Sequence, residues 1–137
     1  MNSLFRVSAR NHAGMILMSK IAEAKGPDEF VSLNAIADEM KLSQGFLEEI
    51  ATSLKKAGLI RGRKGPGGGY KLAKPASKIT AEQILIALEG PVLLVPCGTK
   101  GCHVAKNCSA KSLWGFLQKD VLESLKQTTL SSIVYGS

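Results

Sequence analysis

The sequence predicts a mainly α-helical fold, a winged helix-turn-helix with a small two-stranded β-wing and a long C-terminal helix. Three observations lead to this prediction. Two short amphipathic helix patterns are separated by a three-residue turn, a basic glycine-rich hairpin follows them directly, and apolar residues recur at helical spacing near the C-terminus. We expect residues 1–80 to form the winged helix-turn-helix and residues 81–137 to form a second segment.

The first helix is predicted over Phe5–Ala24, where apolar residues and alanines alternate with polar ones until Gly26 and Pro27 break the pattern. Ser32 is a suitable N-cap for a short helix, Leu33–Met40, whose apolar residues share one face. These two helices precede the turn of the helix-turn-helix.

The second helix of the motif is predicted over Gln44–Ala57. Ser43 is its N-cap, and Gly58 follows it as the residue that ends the helix in a left-handed conformation. Three residues, 41–43, separate it from the preceding helix, which is the short connection that a helix-turn-helix requires.

A two-stranded wing is predicted next, with Leu59–Arg61 and Tyr70–Leu72 as strands and residues 62–69 as the loop. The loop contains five glycines, which allow the backbone to approach another surface closely. Within Lys55–Lys78 there are eight basic residues and no acidic one. This cluster of basic residues predicts that the wing binds a polyanion.

The C-terminal segment begins with a helix that Thr80 and Gln83 open as a capping box and Gly90 ends. A loop over residues 91–108 carries all three cysteines. The last helix is predicted from Leu113 to about Gln127, and its apolar stripe is wide for a terminal helix in a small protein.

Composition restricts the class of protein. The chain has 137 residues, of which 45% are hydrophobic and 21% charged, as in ordinary globular proteins. No apolar run approaches the roughly 18 residues of a membrane span, and the N-terminus lacks the pattern of a secretory signal. We therefore expect a soluble, cytoplasmic protein with no membrane partner.

Charge placement indicates double-stranded DNA as the partner. Of the net charge of +7, residues 1–80 contribute +6, from 13 basic and 7 acidic side chains. Clustered Lys and Arg neutralise phosphates, and the second helix of the motif places its N-terminal residues against base edges. Gln44 is suited to adenine, and Glu48 to the amino group of cytosine. The full set of predicted DNA-binding residues is Ser43, Gln44, Phe46, Glu48, Lys55, Arg61, Arg63, Lys64, Gly67 and Tyr70. Phe46 is equally compatible with a place in the core.

The three cysteines, Cys97, Cys102 and Cys108, fall within twelve residues. An odd number of cysteines in a cytoplasmic chain favours metal or redox chemistry over a disulfide framework. Their spacing differs from that of common zinc knuckles and of bacterial ferredoxins. Lys100 and Lys106 on the same loop favour thiolates, the form that binds a metal or a cluster. Spacing alone therefore leaves cluster binding, thiol redox sensing and inert cysteines open.

Together these residues resemble a known family. The segments SLNAIADEMKLSQGFLEEIATSLKKAGLI, GPGGGY and ITAEQILIALEG, followed by C-x4-C-x5-C and SLW, are similar to the iron–sulfur winged-helix regulators typified by IscR and NsrR. The resemblance covers nearly the whole chain. It implies a homodimeric bacterial transcription factor that binds a palindromic operator and whose long C-terminal helix is a dimerisation helix that crosses its partner's. It also implies that Cys97, Cys102 and Cys108 are ligands of a [2Fe–2S] or [4Fe–4S] cluster.

The fourth ligand is where this chain departs from the family patterns. The IscR-type pattern has a histidine three positions after the third cysteine, and Lys111 stands there. The NsrR-type pattern takes an aspartate from the N-terminal helix, and the best match is Asn11, beside His12. The candidate fourth ligands are therefore His12, His103 and Asn11.

The sequence thus predicts a dimeric DNA-binding transcriptional regulator that senses redox, nitric oxide or iron–sulfur status through an iron–sulfur cluster. The alternative is a winged-helix repressor that binds zinc or senses redox through its thiols. A third interpretation is a constitutive DNA-binding protein with incidental cysteines. We do not expect an enzyme, since neither histidine has a nucleophile partner at a recognisable motif spacing.

Overall fold

The computed structural model describes residues 7–24, 29–90 and 110–136 of the chain. The predicted fold class is confirmed: the described part is mainly helical and contains a two-stranded antiparallel sheet. The elements in chain order are α1 (Ala9–Ala22), α2 (Leu33–Met40), α3 (Gln44–Lys56), β1 (Ile60–Arg63), β2 (Gly69–Leu72), a 3₁₀ turn (Ala76–Lys78), α4 (Ala81–Glu89), α5 (Ala110–Gln127) and α6 (Leu130–Tyr135).

Helix α1 forms the centre of the core. Leu17 and Met18 on this helix are fully buried, at 0% exposure, and they belong to one cluster with residues of α2, α3, β1, α4 and α6. Burying one such side chain contributes roughly 1.5–3 kcal/mol. The helix begins at Ala9, later than the predicted Phe5, because the Ser8 hydroxyl accepts the Asn11 backbone N–H and caps it there.

The helix-turn-helix forms as predicted at residues 33–56. Lys41 adopts a left-handed conformation, with a φ of 56°, and ends α2. The Leu42 N–H then donates to the Ala37 carbonyl at 3.0 Å, which closes the turn. Ser43 caps α3 by accepting the Phe46 backbone N–H at 3.1 Å. This tight turn sets the direction in which α3 leaves the core.

The wing is an antiparallel hairpin in which Ile60 pairs with Leu72 and Arg63 pairs with Gly69. Both strands extend toward the loop beyond the predicted bounds, and Leu59 precedes the first strand. Val31 adds a bridge on the other edge, where its N–H and carbonyl exchange hydrogen bonds with Tyr70 at 2.8 and 2.9 Å. A Cβ on Gly69 would lie 2.3 Å from the Val31 carbonyl oxygen, so only glycine fits this approach.

Helices α4 and α6 pack in the same core as the winged helix. Thr80 and Gln83 form the predicted capping box at the start of α4, with bonds of 3.1 and 3.2 Å. Helix α6 was not among the predicted elements, and its residue Leu130 is completely buried. The Leu130 N–H donates to the Ile79 carbonyl at 2.8 Å and fixes the chain end against the segment that precedes α4.

Helix α5 begins at Ala110, three residues before the predicted start, and ends at Gln127 as predicted. From Leu113 to Gln127 no side chain is buried. Leu113 and Phe116 are 55% and 69% exposed. No helix in the described ranges has the length and apolarity needed to cross a bilayer.

Candidate nucleic-acid interface and cysteine segment

A cleft of about 540 Å³ lies between the start of α2, one face of α3 and the wing. We call it the wing cleft. Its lining residues are Ser32, Leu33, Asn34, Gln44, Glu48, Thr52, Arg63, Lys64, Gly65, Gly68, Gly69 and Tyr70. Five of the predicted DNA-binding residues are therefore brought together: Gln44, Glu48, Arg63, Lys64 and Tyr70.

One wall of the wing cleft is a polar ridge on α3. Gln44, Glu48 and Thr52 are spaced four residues apart, which places them on the same helix face. The Gln44 amide donates to the Glu48 carboxylate at 3.2 Å, and the Thr52 hydroxyl donates to the Glu48 carbonyl at 2.8 Å. Thr52 and Asn34 also line the cleft but were not among the predicted residues. The four-residue spacing of Thr52 from Glu48 is the signal in the sequence that indicates it.

The opposite wall is basic and comes from the hairpin. Arg63 and Lys64 are exposed there at the end of β1. The guanidinium carbon of Arg63 lies 5.6 Å from the centre of the Phe30 ring, and the ammonium of Lys71 lies 5.2 Å from it. Such cation–π contacts hold these two cationic side chains of the hairpin against Phe30, which precedes α2. Phe30 carries no motif, so nothing in the sequence marked it.

The other predicted DNA-binding residues lie outside the lining of the wing cleft. Ser43 is engaged in capping α3, and Phe46 is half-buried against the core. Lys55 and Arg61 are exposed beside the wing. Gly67 is at the tip of the hairpin with a φ of 75°, a conformation that favours glycine.

The cysteine segment lies outside the described residues, and so do Cys97, Cys102, Cys108 and His103. Of the other candidate ligands, His12 is exposed on α1. Asn11 donates through its amide nitrogen to Glu89 at 3.3 Å, and its amide oxygen is buried with no hydrogen-bond partner among the described residues. Within the described ranges, no group of three or more His, Cys, Asp or Glu side chains is arranged to hold a metal ion.

A second charged contact on α1 lies away from the wing cleft. The Lys20 ammonium binds the Glu39 carboxylate of α2 at 2.5 Å. The hydrogen bond to Glu39 raises the pKa of Lys20, and the charges of Glu39 and Glu23 act in the same direction. Lys20 is therefore cationic at neutral pH.

The tight turn, the α3 ridge and the basic wing together define a winged-helix DNA-binding protein. Residues 7–136 match the Rrf2 family, described as iron-dependent transcriptional regulators, and the chain belongs to this family. It is therefore a DNA-binding transcriptional regulator and not an enzyme.

Known members of two kinds are similar to this chain. The transcriptional regulator IscR of Cereibacter sphaeroides is 34% identical over 134 residues, which cover 94% of this chain and 86% of that protein. The solved structure of CymR, the global cysteine regulator of B. subtilis, is 29% identical, with a TM-score of 0.80 over 97% of this chain and 98% of that one. The oxidised form of Staphylococcus aureus CymR is 32% identical, with a TM-score of 0.77 over 95% and 96% of the two chains.

Proposed function

We propose that this chain is a homodimeric cytoplasmic regulator whose operator binding responds to redox, nitric oxide or iron–sulfur status through a cluster ligated by Cys97, Cys102 and Cys108. One observation carries the proposal: a surface suited to DNA and a three-thiol segment occur in one chain, and the segment begins directly after α4. Helix α4, which the segment follows in the sequence, packs in the same core as α3, and this supports a link between the thiols and α3.

DNA recognition would use the two walls of the wing cleft for different purposes. The Gln44 amide oxygen and the Glu48 carboxylate offer acceptors to base edges, and Gln44 would pair with adenine by exchanging its bond to Glu48 for one to the base. Arg63 and Lys64 supply positive charge for phosphates or for the minor groove. Lys55 and Arg61 extend this charge along the wing. The remaining residues would support this surface by holding its elements in place. Ser43 caps α3, Phe46 and Tyr70 pack against the core, and Gly67 allows the turn at the tip of the hairpin.

Dimerisation would use α5. Its apolar stripe is not buried by the rest of the described chain, and exposed Leu113 and Phe116 are costly in water. A second copy of the same helix offers a matching stripe, as a two-fold symmetric interface requires. Two copies would present two α3 helices, which suits a palindromic operator with half-sites one DNA turn apart.

The donor set is chemically suited to an iron–sulfur cluster. Thiolates are the usual ligands of such clusters, and this chain offers three of the common four. A cluster bound to them would supply a centre whose charge changes with its oxidation state. The buried amide oxygen of Asn11 has no hydrogen-bond partner within the described ranges, so it offers the acceptor capacity that a fourth ligand needs. His12 and His103 are the other candidates for that position.

Thiol redox sensing or zinc binding is the second candidate function. The likeness to CymR in its oxidised form favours the thiol mechanism, because the fold of this chain matches that structure over 95% of its length. Under this alternative the same three cysteines would change the same segment by oxidation to disulfide or sulfenic acid.

Anaerobic purification separates these candidates. A cluster predicts a brown protein with visible absorbance, about stoichiometric iron and sulfide, and loss of both in the Cys102→Ala variant. A colourless protein that contains zinc, or one whose operator affinity responds to a mild thiol oxidant alone, would support the second candidate. If replacing all three cysteines by alanine left regulation unchanged, both candidates would be excluded. The chain would then be a constitutive DNA-binding protein with incidental cysteines.

A further inference from the structure

One arginine on α1 joins three parts of the molecule. The Arg10 guanidinium donates to the Leu88 carbonyl in the last turn of α4 at 2.8 Å, to the Glu49 carboxylate on α3 at 3.2 Å and to the Ser53 hydroxyl on α3 at 2.5 Å. The Arg10 side chain is 24% exposed, whereas Glu49 is 71% exposed. We call these four residues the Arg10 network.

The end of α4 is held to the start of α1 by further contacts. The Ser8 hydroxyl donates to Glu89 at 2.6 Å, and the Asn11 amide donates to the other oxygen of Glu89 at 3.3 Å. A Cβ on Gly14 would lie 2.3 Å from a Leu88 methyl, so α1 and α4 are in close contact one turn beyond Arg10. Gly90 then ends the helix, and the cysteine segment follows at residue 91.

We propose that Arg10 is a positioning residue that couples the position of α3 to the position of the last turn of α4. What would move the last turn of α4 rests on the proposed function, in which chemistry at the cysteines changes the segment that follows α4 in the sequence. Arg10 itself is not among the residues that line the wing cleft.

The chemistry of the side chain suits this task. A guanidinium is planar and offers five donors in fixed directions, so one group can hold a carbonyl on α4 and two acceptors on α3 at the same time. Leu88 packs directly against α1 at Gly14, and its carbonyl accepts from Arg10, so a shift of the last turn of α4 along α1 would displace that carbonyl relative to Arg10. Glu49 and Ser53 lie one and five residues after Glu48, so the same shift is passed to the ridge that lines the wing cleft.

The test compares operator affinity in two states of the cysteine segment, reconstituted with iron and sulfide under nitrogen and freed of metal, at fixed salt. Wild type is expected to show an affinity ratio of about tenfold between the states, within the usual range for coupled sites. Arg10→Met is expected to bring that ratio within about twofold of unity. Arg10→Lys, which keeps the charge and serves if Arg10→Met folds poorly, is expected to lose most of the ratio, since an ammonium lacks the planar fork.

Lys20→Met is the matched control, because it removes a cation of the same helix whose ion pair is with Glu39 of α2. Its ratio should equal that of wild type. A full ratio in folded Arg10→Met or Arg10→Lys would overturn the role of Arg10, whereas a ratio of one in wild type would count against the sensing function instead.

Hydrogen exchange of the metal-free protein decides the role of Arg10 independently of any cofactor. In both Arg10 variants, amides of residues 44–56 and 86–90 should exchange faster together, while those of the wing keep their wild-type rates. Unchanged exchange in residues 44–56 would overturn the proposal even if the sensing function held.

Discussion

Glu48 carries the one negative charge among the residues that line the described wing cleft, next to Arg63 and Lys64. A carboxylate there repels phosphate, so it weakens binding to DNA in general unless it accepts from a base such as cytosine. Glu48→Gln should therefore tighten binding to mixed-sequence DNA and reduce the preference for the operator by about tenfold, since one good base contact discriminates by about 1–3 kcal/mol. Fluorescence anisotropy with both DNAs at one salt concentration measures this ratio.

Glu123→Gln provides the control for Glu48→Gln, because it removes the same charge from exposed α5. It should leave the preference for the operator unchanged. An operator preference equal to wild type in Glu48→Gln would show that Glu48 reads no base.

At the scale of residues, the sequence revealed the site only where a residue stood inside a motif. Gln44 and Glu48 follow the cap of a predicted helix, so their place in the first turns of α3 could be predicted. Other residues lie beside segments that are distant along the chain. Phe30 contacts Arg63 of the wing, Asn34 lines the same cleft as the wing, and Arg10 donates to Leu88, 78 positions away. Such contacts depend on how helices cross, which no local pattern encodes.

Helix caps provide the sharpest test at the scale of elements. The Ser43 hydroxyl accepts the Phe46 N–H at 3.1 Å, whereas Ser32, the N-cap of α2, makes no side-chain capping bond. Ser43→Ala should lower the free energy of unfolding by about 1 kcal/mol, the usual value of a lost cap. Chemical denaturation monitored by circular dichroism measures the difference.

Ser32→Ala is the matched variant, with the same change at the start of the neighbouring helix. Its effect on the free energy of unfolding should be a few tenths of a kcal/mol at most, because no capping bond is lost. Equal losses in the two variants would contradict the assignment of α3 capping to Ser43.

Elements with a start and a stop residue could be predicted closely. Helices α2, α3 and α4 have such residues, and their bounds differ from the prediction by no more than one position. Helix α6 was missed because six residues after Thr129 are too few to show a period, and it is held by the burial of Leu130. The Val31 bridge was missed for a related reason, since a single paired residue has no alternation to detect.

At the scale of the whole molecule, the unburied stripe of α5 determines the expected oligomer. Phe116 is 69% exposed, so a charge there costs the isolated chain little but would be buried in the proposed dimer. Phe116→Glu should convert the dimer to a monomer in sedimentation velocity. It should also weaken binding to a palindromic operator by about 100-fold or more, because the two half-sites are no longer engaged together.

Phe116→Leu keeps the surface apolar and should remain dimeric with wild-type operator affinity. A Phe116→Glu protein that sedimented as a dimer would place the interface elsewhere on the surface.

The distribution of charge over the molecule makes a prediction about salt. Of the net charge of +7, +6 lies in residues 1–80, and the wing carries the densest part of it. If a dimer neutralises about 6–10 phosphates, its operator affinity should fall by about 10³–10⁵ between 50 and 200 mM salt. Arg63→Gln should reduce the slope of log affinity against log salt by about 1 per copy, hence about 2 per dimer, and Lys126→Gln on α5 should leave it unchanged. An Arg63→Gln slope equal to wild type would show that the wing does not contact phosphate, and the excess charge would then act elsewhere on the winged helix.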